Sequence, residues 1–296
     1  MSVDPTERSG EGTTVPADPE AHRRRLIEEM TFEIVPLKSA DAAIEALPPS
    51  STVSITCSPV KGIDATIDLS ERVRAAGHVA IPHLSARMVE SRQHAVSIAA
   101  WLRSEAIGRL FLVGGDANPP HGPYADGLSF LRDLLDADPA VSVIGVPAYP
   151  DGHSIIPTEA LDRALRAKQA VLVEAGIEAY ATTQMCFDPD RLVAWLERER
   201  AGGVTLPIHL GVAGVVERSK LMTMGMRLGV GTSLRYLRKN RRAIGRLLSQ
   251  SDYDPDSLIR PLIGELPRLG VDGIHCFTFN QVEATAGWRR AVLAAG

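Results

Sequence analysis

Residues 31–36 read TFEIVP, a short run of β-branched and apolar residues that is typical of a buried strand. Seven more runs of this kind follow, and several are almost continuously apolar, as in parallel strands covered on both faces. The runs are TVSITC (52–57), HVAIPHL (78–84), RLFLVGG (109–115), VSVIGVPAY (141–149), EAYATTQ (178–184), LPIHLGVA (206–213) and GIHCFTF (273–279).

Longer segments with helical spacing separate these runs. The clearest cover residues 86–104, 158–175, 188–200, 254–269 and 281–295. Eight strands alternating with helices are the pattern of a (β/α)8 TIM barrel, a single-domain α/β fold. A doubly wound parallel sheet is the alternative, but no GxGxxG motif follows the first strand. We predict a catalytic barrel over residues 23–296. Residues 1–22, rich in Pro, Gly, Ser, Thr and acidic side chains, are predicted to form a disordered tail.

Composition restricts the classes of partner. Of the 296 residues, 45% are hydrophobic and 23% are charged, with a formal net charge of −4, so neither nucleic acid nor an anionic membrane is favoured. No apolar run approaches the roughly 20 residues of a membrane-spanning helix. The three cysteines form no CxxC pair and no disulfide framework, which predicts a cytoplasmic protein. Small molecules are the expected ligands, and the sequence predicts no oligomeric state.

Polar residues and glycines recur at the C-terminal ends of the predicted strands, where barrels of this type carry their functional groups. Asp116 follows two glycines, which let a backbone approach a ligand closely, and its carboxylate suits the N–H groups of a heterocycle. Gln184 offers a donor and an acceptor on one planar group, which also fits the edge of a heterocycle. The full set is Glu33, Thr56, Cys57, Pro82, His83, Gly114, Gly115, Asp116, Tyr149, His153, Thr183, Gln184, Thr278 and Asn280.

Glu33 lies inside an apolar run, where an unpaired charge is costly. One interpretation places its side chain against the helix layer, paired with a lysine or an arginine. The other places it at the barrel mouth, where burial lets a carboxyl group keep a proton near neutral pH and act as a general acid.

Seven segments, in chain order, resemble motifs of the methylenetetrahydrofolate reductase family. FEIVP (32–36) is similar to the family's FEFFPP, VSITC (53–57) to VSVTYG, IPHLSA (81–86) to PHLTC, and GGDANPP (114–120) to LRGDPP. IGVPAYPDGH (144–153) is similar to VAAYPEGH, ATTQMCFD (181–188) to ITQFFFD, and GIHCFTFNQVEAT (273–285) to FHFYTLNRAE. The resemblance extends from about residue 30 to the C-terminus.

This resemblance implies a reaction and a set of roles. The family reduces 5,10-methylenetetrahydrofolate to 5-methyltetrahydrofolate with NAD(P)H. The first-strand glutamate, here Glu33, is the expected general acid, because opening the methylene bridge needs a proton at N10. Asp116, Gln184 and Thr278 are the expected substrate-binding residues. The positions that match the family's flavin contacts are expected to bind the cofactor; they are Thr56, His83, Gly115, Tyr149 and His153.

The chain also departs from the family pattern. Gly114 replaces the arginine of LRGD, Cys57 and Ser58 replace the Tyr-Gly of VTYG, and GVAGVVERSK (211–220) lacks the aromatic residue that follows strand seven. In these respects the chain resembles an actinobacterial branch that works without flavin. This branch implies direct hydride transfer from NADH, with NADPH as the alternative donor. An ordinary FAD-dependent reductase of the same family is the other interpretation.

A further segment suggests a phosphate site for the nucleotide. LGVGTSLRYLRKNRR (228–242) places Gly229, Gly231 and Thr232 ahead of a basic helical pattern. Backbone N–H groups at a helix start can hold a phosphate, and barrels commonly bind phosphate after strand seven. The alternative is a Gly-rich turn with Thr232 or Ser233 as the helix cap.

Two other classes of protein remain as alternatives. A zinc-dependent methyltransfer barrel could use thiolate and imidazole ligands, but the candidates lack the close spacing of a typical zinc site. These candidates are Cys57, Cys186, Cys276, His83 and His275. The prediction is therefore that no metal is bound. A barrel that binds reduced folate without catalysis is the other alternative, although binding alone does not need a proton donor.

Overall fold

The computed structural model describes residues 18–227 and 252–295, and its eight strands form one closed barrel in sequence order. Every neighbouring pair is parallel, which confirms the predicted (β/α)8 fold. Each of the eight predicted runs overlaps one strand. The strands are Thr31–Ile34 (β1), Thr52–Ile55 (β2), Val79–Ser85 (β3), Arg109–Val113 (β4), Val143–Ala148 (β5), Glu178–Thr183 (β6), Ile208–Ala213 (β7) and Val271–Phe277 (β8).

Helices alternate with these strands and cover the outside of the barrel. Their apolar sides pack on the outward-facing Leu, Ile and Val side chains of the strands to form the main core. They are Pro19–Glu28 (α1), Ala40–Glu45 (α2), Gly62–Ala75 (α3), Arg92–Ser104 (α4), Gly127–Asp136 (α5), Thr158–Glu174 (α6), Pro189–Ala201 (α7), Arg218–Arg227 (α8), Asp256–Leu262 (α9) and Val282–Ala294 (α10).

Two predicted helices differ from the structure. The segment 86–104 is divided into a 3₁₀ turn, Ala86–Met88, and α4, because Ser91 caps α4 by accepting a hydrogen bond from the His94 N–H at 3.1 Å. The segment 254–269 contains only the short helix α9. Pro261 lies inside that helix and removes a backbone donor, and turns follow it.

The first helix begins earlier than the predicted end of the tail at residue 22. Asp18 caps α1 by accepting from the Glu20 N–H at 2.9 Å, and Pro19 occupies the first helical turn. Arg23 is buried and its Nε donates to Asp256 at 3.0 Å, which ties α1 to α9. Residues 19–22 are therefore helical, and residues 1–17 lie outside the described part of the chain.

Rings rather than aliphatic side chains fill much of the barrel interior. His83 on β3 and His275 on β8 lie 6.3 Å apart between ring centroids, although these strands are not neighbours, so both rings point inward. Tyr180 on β6 stacks on His209 on β7, with 4.0 Å between the ring centroids. Gly145 makes room for this packing, because a Cβ there would lie 2.5 Å from Tyr180 Cζ. A polar, aromatic interior thus underlies the mouth.

No helix in the described ranges is long and apolar enough to cross a membrane.

Candidate active site

Glu33 occupies the third position of β1 and points into the barrel, toward two histidines. Its Oε2 lies 3.0 Å from His275 Nε2 and 3.9 Å from His83 Nε2. Its side chain is 11% exposed. The interpretation in which Glu33 faces the helix layer and pairs with a lysine or arginine is therefore wrong. We call Glu33, Ser54, His83 and His275 the buried acid cluster.

The contact between Glu33 and His275 indicates which nitrogen of His275 carries the proton. Nδ1 of His275 is buried and has no hydrogen-bond partner in the described chain. An ionised carboxylate can only accept, so Nε2 must donate if the 3.0 Å contact is to be a hydrogen bond whether or not Glu33 is protonated. The opposite tautomer would leave a buried N–H without an acceptor, at a cost of about 1–3 kcal/mol. We therefore assign the proton of neutral His275 to Nε2.

His83 forms the second side of the cluster. Its Nε2 lies 2.6 Å from Ser54 Oγ, and its ring packs on Phe111 at 4.7 Å. Burial, reinforced by the neighbouring His275, lowers the pKa of His83 to about 3, so this imidazole is neutral at physiological pH. His83 thus lies beside the Glu33 carboxyl group without adding a charge there.

The end of β8 fixes the backbone around Glu33. The fully buried Thr278 donates from Oγ1 to the Glu33 carbonyl at 2.5 Å, so its hydroxyl is used within the fold. Asn280 accepts from the Val35 N–H at 2.8 Å and donates to the Val35 carbonyl at 2.9 Å. Phe279 and Asn280 both have positive φ, 52° and 62°, a conformation that is uncommon for non-glycine residues. The β1–β8 junction is therefore held on both strands, and a substrate contact by Thr278 stays a prediction.

A second group of predicted residues lies at the ends of β4 and β5, and we call it the open rim: Asp116, Tyr149 and His153. Asp116 is exposed. Burial, together with the nearby Asp116 carboxylate, raises the pKa of Tyr149 to about 12, so the phenol keeps its proton. The rings of Tyr149 and His153 meet edge to face at 5.5 Å. The structure thus brings together three residues that the sequence placed on consecutive strand ends.

Asp116 also borders a surface cavity of about 720 Å³. Glu33 and Gln184 do not line it, so this cavity is adjacent to the buried acid cluster rather than continuous with it. Its walls come from the β4–α5 loop and from the residues beyond β2 and β3: Pro59, Glu90, Asp116, Ala117, Asn118, Pro119, Pro120 and His121.

Gly115 packs where the two regions meet. Its φ is 87°, and a Cβ at this position would lie 1.7 Å from Ser85 Oγ, so only glycine fits. The hydroxyls of Ser85 and Thr56 are buried without hydrogen-bond partners in the described chain. Buried hydroxyls without partners are the kind of group that a bound ligand can satisfy.

The remaining predicted positions are divided between the mouth and the undescribed segment. Gln184 is half-buried just after β6, and its Oε1 accepts from the Met185 N–H at 2.9 Å, which leaves its amide nitrogen available. Gly229, Gly231 and Thr232 lie outside the described residues, so the nucleotide phosphate site stays a prediction.

The buried acid cluster also contains the group of side chains that could hold a metal ion in the described ranges. Ligand atoms of Glu33, His83 and His275 lie within 4.8 Å of one another, whereas the predicted zinc candidates Cys57, Cys186 and Cys276 do not join them. Two features disfavour a metal. Ser54 already engages His83 Nε2, and His275 Nδ1 lacks the acceptor that orients a metal-binding imidazole.

Sequence reasoning missed the roles of His275 and Ser54. His275 was considered only as a zinc ligand, and Ser54 was not considered. The sequence contained one signal for His275. Alternate residues of a strand face the same side of the sheet, so His275 and Phe277 are expected to project together. Pairing of Glu33 with Ser54 and Phe277 across the sheet depends on register, which the sequence alone does not define.

These observations define a class of protein, a (β/α)8 barrel with a buried acid–histidine cluster at its mouth. The chain is 35% identical over 69 residues to "Methylenetetrahydrofolate reductase 1" from Schizosaccharomyces pombe, a stretch that makes up 23% of this chain and 11% of that protein. No protein-family model matches the chain.

A solved structure is similar to this chain in fold. It is that of an uncharacterized protein from Clostridium thermocellum, which binds two copies of 5-methyl-5,6,7,8-tetrahydrofolic acid. The TM-score is 0.60 and the sequence identity is 14%, and the match covers 93% of this chain and 99% of that one. At this identity the likeness shows a shared fold alone. The sequence match agrees with the predicted resemblance to methylenetetrahydrofolate reductases, and the structural neighbour shares the fold.

Proposed function

We propose that this protein is an NADH-dependent methylenetetrahydrofolate reductase in which Glu33 is the general acid. One observation carries the proposal: a carboxyl group with an 11% exposed side chain points into the mouth of a reductase-like barrel, with histidines and no lysine or arginine as its partners within residues 18–227 and 252–295. A barrel that only bound folate would not need such a group. The matched stretch is a small part of the related reductase, so the substrate and the reaction belong to the proposal.

The chemistry divides into two steps. Glu33 delivers a proton to N10 of 5,10-methylenetetrahydrofolate, the bond between N10 and the methylene carbon breaks, and an iminium forms at N5. NADH, the second substrate, supplies the hydride that adds to the methylene carbon, giving 5-methyltetrahydrofolate and NAD⁺. The iminium is a good hydride acceptor, so holding the two substrates in contact can supply much of the lowering of the barrier. Glu33 then regains its proton from solvent through the mouth.

Asp116 on the open rim and Gln184 are the proposed recognition groups for the pterin. The exposed Asp116 can accept from the paired N–H groups of the pterin. Gln184 keeps an amide N–H₂ available at the end of β6. These groups would hold the pterin while the buried acid cluster provides the proton.

The proposal that no flavin is required rests on two positions where the chain departs from the family pattern, Cys57 and Gly114. Cys57 stands where the family has tyrosine, its thiol lies 3.7 Å from Met88 Sδ, and burial raises the pKa of that thiol. This position is therefore neutral and sulfur-lined. Gly114, where the family has arginine, supplies no cation. Thr56, His83, Gly115, Tyr149 and His153 are retained, and we propose that they serve the nicotinamide nucleotide; a bound flavin would instead relay the hydride.

The test is NADH oxidation by dialysed protein with methylenetetrahydrofolate and no added flavin. Turnover by protein without absorbance near 450 nm would support both parts of the proposal. Turnover only after FAD is supplied would keep the reductase and overturn direct transfer. An absence of turnover in both cases would reject the reductase.

A non-catalytic folate-binding barrel is the second candidate, favoured by the structural neighbour that binds 5-methyltetrahydrofolic acid. Glu33→Gln separates the two candidates. Retained folate binding with lost turnover supports the acid role of Glu33, whereas a wild-type protein that binds folate and never turns over supports the binding protein. The three free cysteines suit the cytoplasmic location that we expect for either candidate.

A further inference from the structure

We infer that His275 is a positioning residue for the proposed reduction: its Nε2–H holds Oε2 of Glu33 and leaves the transferable proton on Oε1. This inference rests on the proposed function, because it concerns the proton that Glu33 would donate. It goes beyond it by assigning the proton to one oxygen and by naming the side chain responsible.

The surroundings of His275 fix its ring in place. The side chain is 2% exposed, and its ring centroid lies 5.0 Å from Phe277 and 6.1 Å from Phe111. Its strand neighbours are Thr31 on β1 and Gly211 on β7. With rings on two sides, the imidazole cannot swing away from Glu33 without repacking the barrel interior.

The two oxygens of Glu33 are in different environments. Oε2 is held by His275 at 3.0 Å, whereas Oε1 has no hydrogen-bond partner in the described chain and is not among its enclosed unpaired atoms. Oε1 is therefore the oxygen that remains open to the mouth. Because Oε2 accepts from Nε2–H, the proton of a neutral Glu33 lies on Oε1, where a substrate nitrogen can take it.

No neighbouring group can replace His275. The groups that face Glu33 are Ser54 from β2, His83 from β3 and His275 from β8, whereas Cys276 lies on the outer side of β8. His83 is neutral and engaged with Ser54, 3.9 Å from Oε2, and burial raises the pKa of the Cys276 thiol so that it also stays neutral. Loss of the His275 N–H would therefore leave Oε2 without a donor.

The kinetic test compares His275→Leu, which removes the donor, with His275→Gln, which restores an N–H of similar reach. His275→Leu should lower kcat by roughly 10- to 100-fold, because the acid is misplaced, with a smaller change in KM for folate. The fall of kcat/KM toward alkaline pH should move to higher pH, because a donor to the ionised carboxylate is lost. His275→Gln should recover part of the rate and the wild-type pH profile.

A matched control is His209→Gln, another buried barrel histidine, which stacks on Tyr180. It should lower stability without moving the pH profile. If His275→Leu behaves like this control, with lower stability and an unchanged alkaline limb, the positioning role is overturned.

Nuclear magnetic resonance of the full wild-type chain labelled with ¹⁵N-histidine tests the same inference without turnover and without a variant. The ¹⁵N shifts of His275 should show Nε2 protonated and Nδ1 bare. A protonated Nδ1 with a bare Nε2 would overturn the inference even if the reductase is active. The expected tautomer in a protein without reductase activity would instead retain the assignment and reject the proposed function.

Discussion

The buried acid cluster and the open rim differ in their exposure to solvent. In the first, Glu33 is 11% exposed, and every polar contact that it makes is with the barrel itself. In the second, Asp116 is exposed and borders a cavity of about 720 Å³. In the proposed mechanism the proton donor is therefore arranged before substrate arrives, while recognition is left to groups that solvent reaches. Changes in the cluster should therefore act on kcat, and changes at the rim on KM.

A similar contrast holds between two buried ionisable groups. Glu33 has a hydrogen-bonding histidine, whereas Lys168 on α6, with 8% of its surface exposed, has no hydrogen bond or ion pair in the described chain. Burial lowers the pKa of Lys168 to about 8, and Asp126 offsets this only in part. The contact with His275 stabilises Glu33 in its buried position, whereas burial of the Lys168 charge lowers the free energy of unfolding.

The largest expected effect is that of Glu33→Gln, which removes the proton and keeps the shape. Turnover should fall by about 10²- to 10⁴-fold, the usual contribution of a general acid, while folate binding is kept. Steady-state NADH oxidation and equilibrium folate binding are the measurements. Glu45→Gln, the same change at an exposed carboxylate on α2, is the control and should leave both unchanged. Equal turnover in the two variants would remove Glu33 from the mechanism.

Gly115→Ala tests the boundary between the two regions. The new Cβ would overlap Ser85 Oγ and would require a positive φ, so the free energy of unfolding should fall by about 3 kcal/mol. Gly176→Ala is the matched control, because φ there is 67° but nothing lies within 4 Å of a Cβ, and it should lose only about 1 kcal/mol. Denaturant unfolding measures both. Ser85→Ala in the Gly115→Ala background should recover part of the loss; no recovery would show that backbone conformation alone is responsible.

Lys168→Met tests how the buried charge on α6 affects the free energy of unfolding. Below pH 8 the ammonium is charged in both folded and unfolded chains, so its burial cost is fully present. Between pH 8 and about 10.5 the unfolded chain binds a proton that the folded chain does not, so wild-type stability rises with pH. The variant should therefore be more stable at pH 7, by an amount on the order of 3 kcal/mol, and this advantage should shrink as the pH rises from 8 to about 10.5.

Chemical unfolding of both proteins from pH 7 to 10.5 provides the measurement. Lys61→Met, the same change at an exposed lysine, should show no such pH dependence. A Lys168→Met variant that is less stable than wild type at pH 7 would mean that Lys168 has a partner in solution.

The fold could be predicted from the sequence because its signals are local. Each strand is a short apolar run, and helical spacing separates the runs, so strand number and order followed directly. The helix near residue 90 was misjudged because Ser91 competes as a cap within an apolar pattern. The start of α1 was missed because Asp18 and Pro19 resemble the polar tail that precedes them.

The site was predicted in part. Strand ends predicted Glu33, His83 and Asp116 at one rim; the structure brings Glu33 and His83 together in the buried acid cluster and places Asp116 on the open rim. The hydrogen bond from His275 to Glu33 depends on the register between β8 and β1, residues 242 positions apart, which no local pattern encodes. For the same reason the packing of Ser85 beneath Gly115 was not foreseen, since it joins β3 to the end of β4.

The smallest expected effect is that of Asp116→Asn at the open rim. Asparagine keeps the size but loses the charge, so pterin N–H groups meet a weaker acceptor and KM for folate should rise about tenfold, equivalent to about 1.4 kcal/mol. kcat should change less, because Asp116 does not line the buried acid cluster and the proton on Glu33 is undisturbed. Asp190→Asn, an exposed carboxylate on α7, is the control. If Asp116→Asn lowers kcat as strongly as Glu33→Gln, recognition and proton transfer are not separated between the two regions.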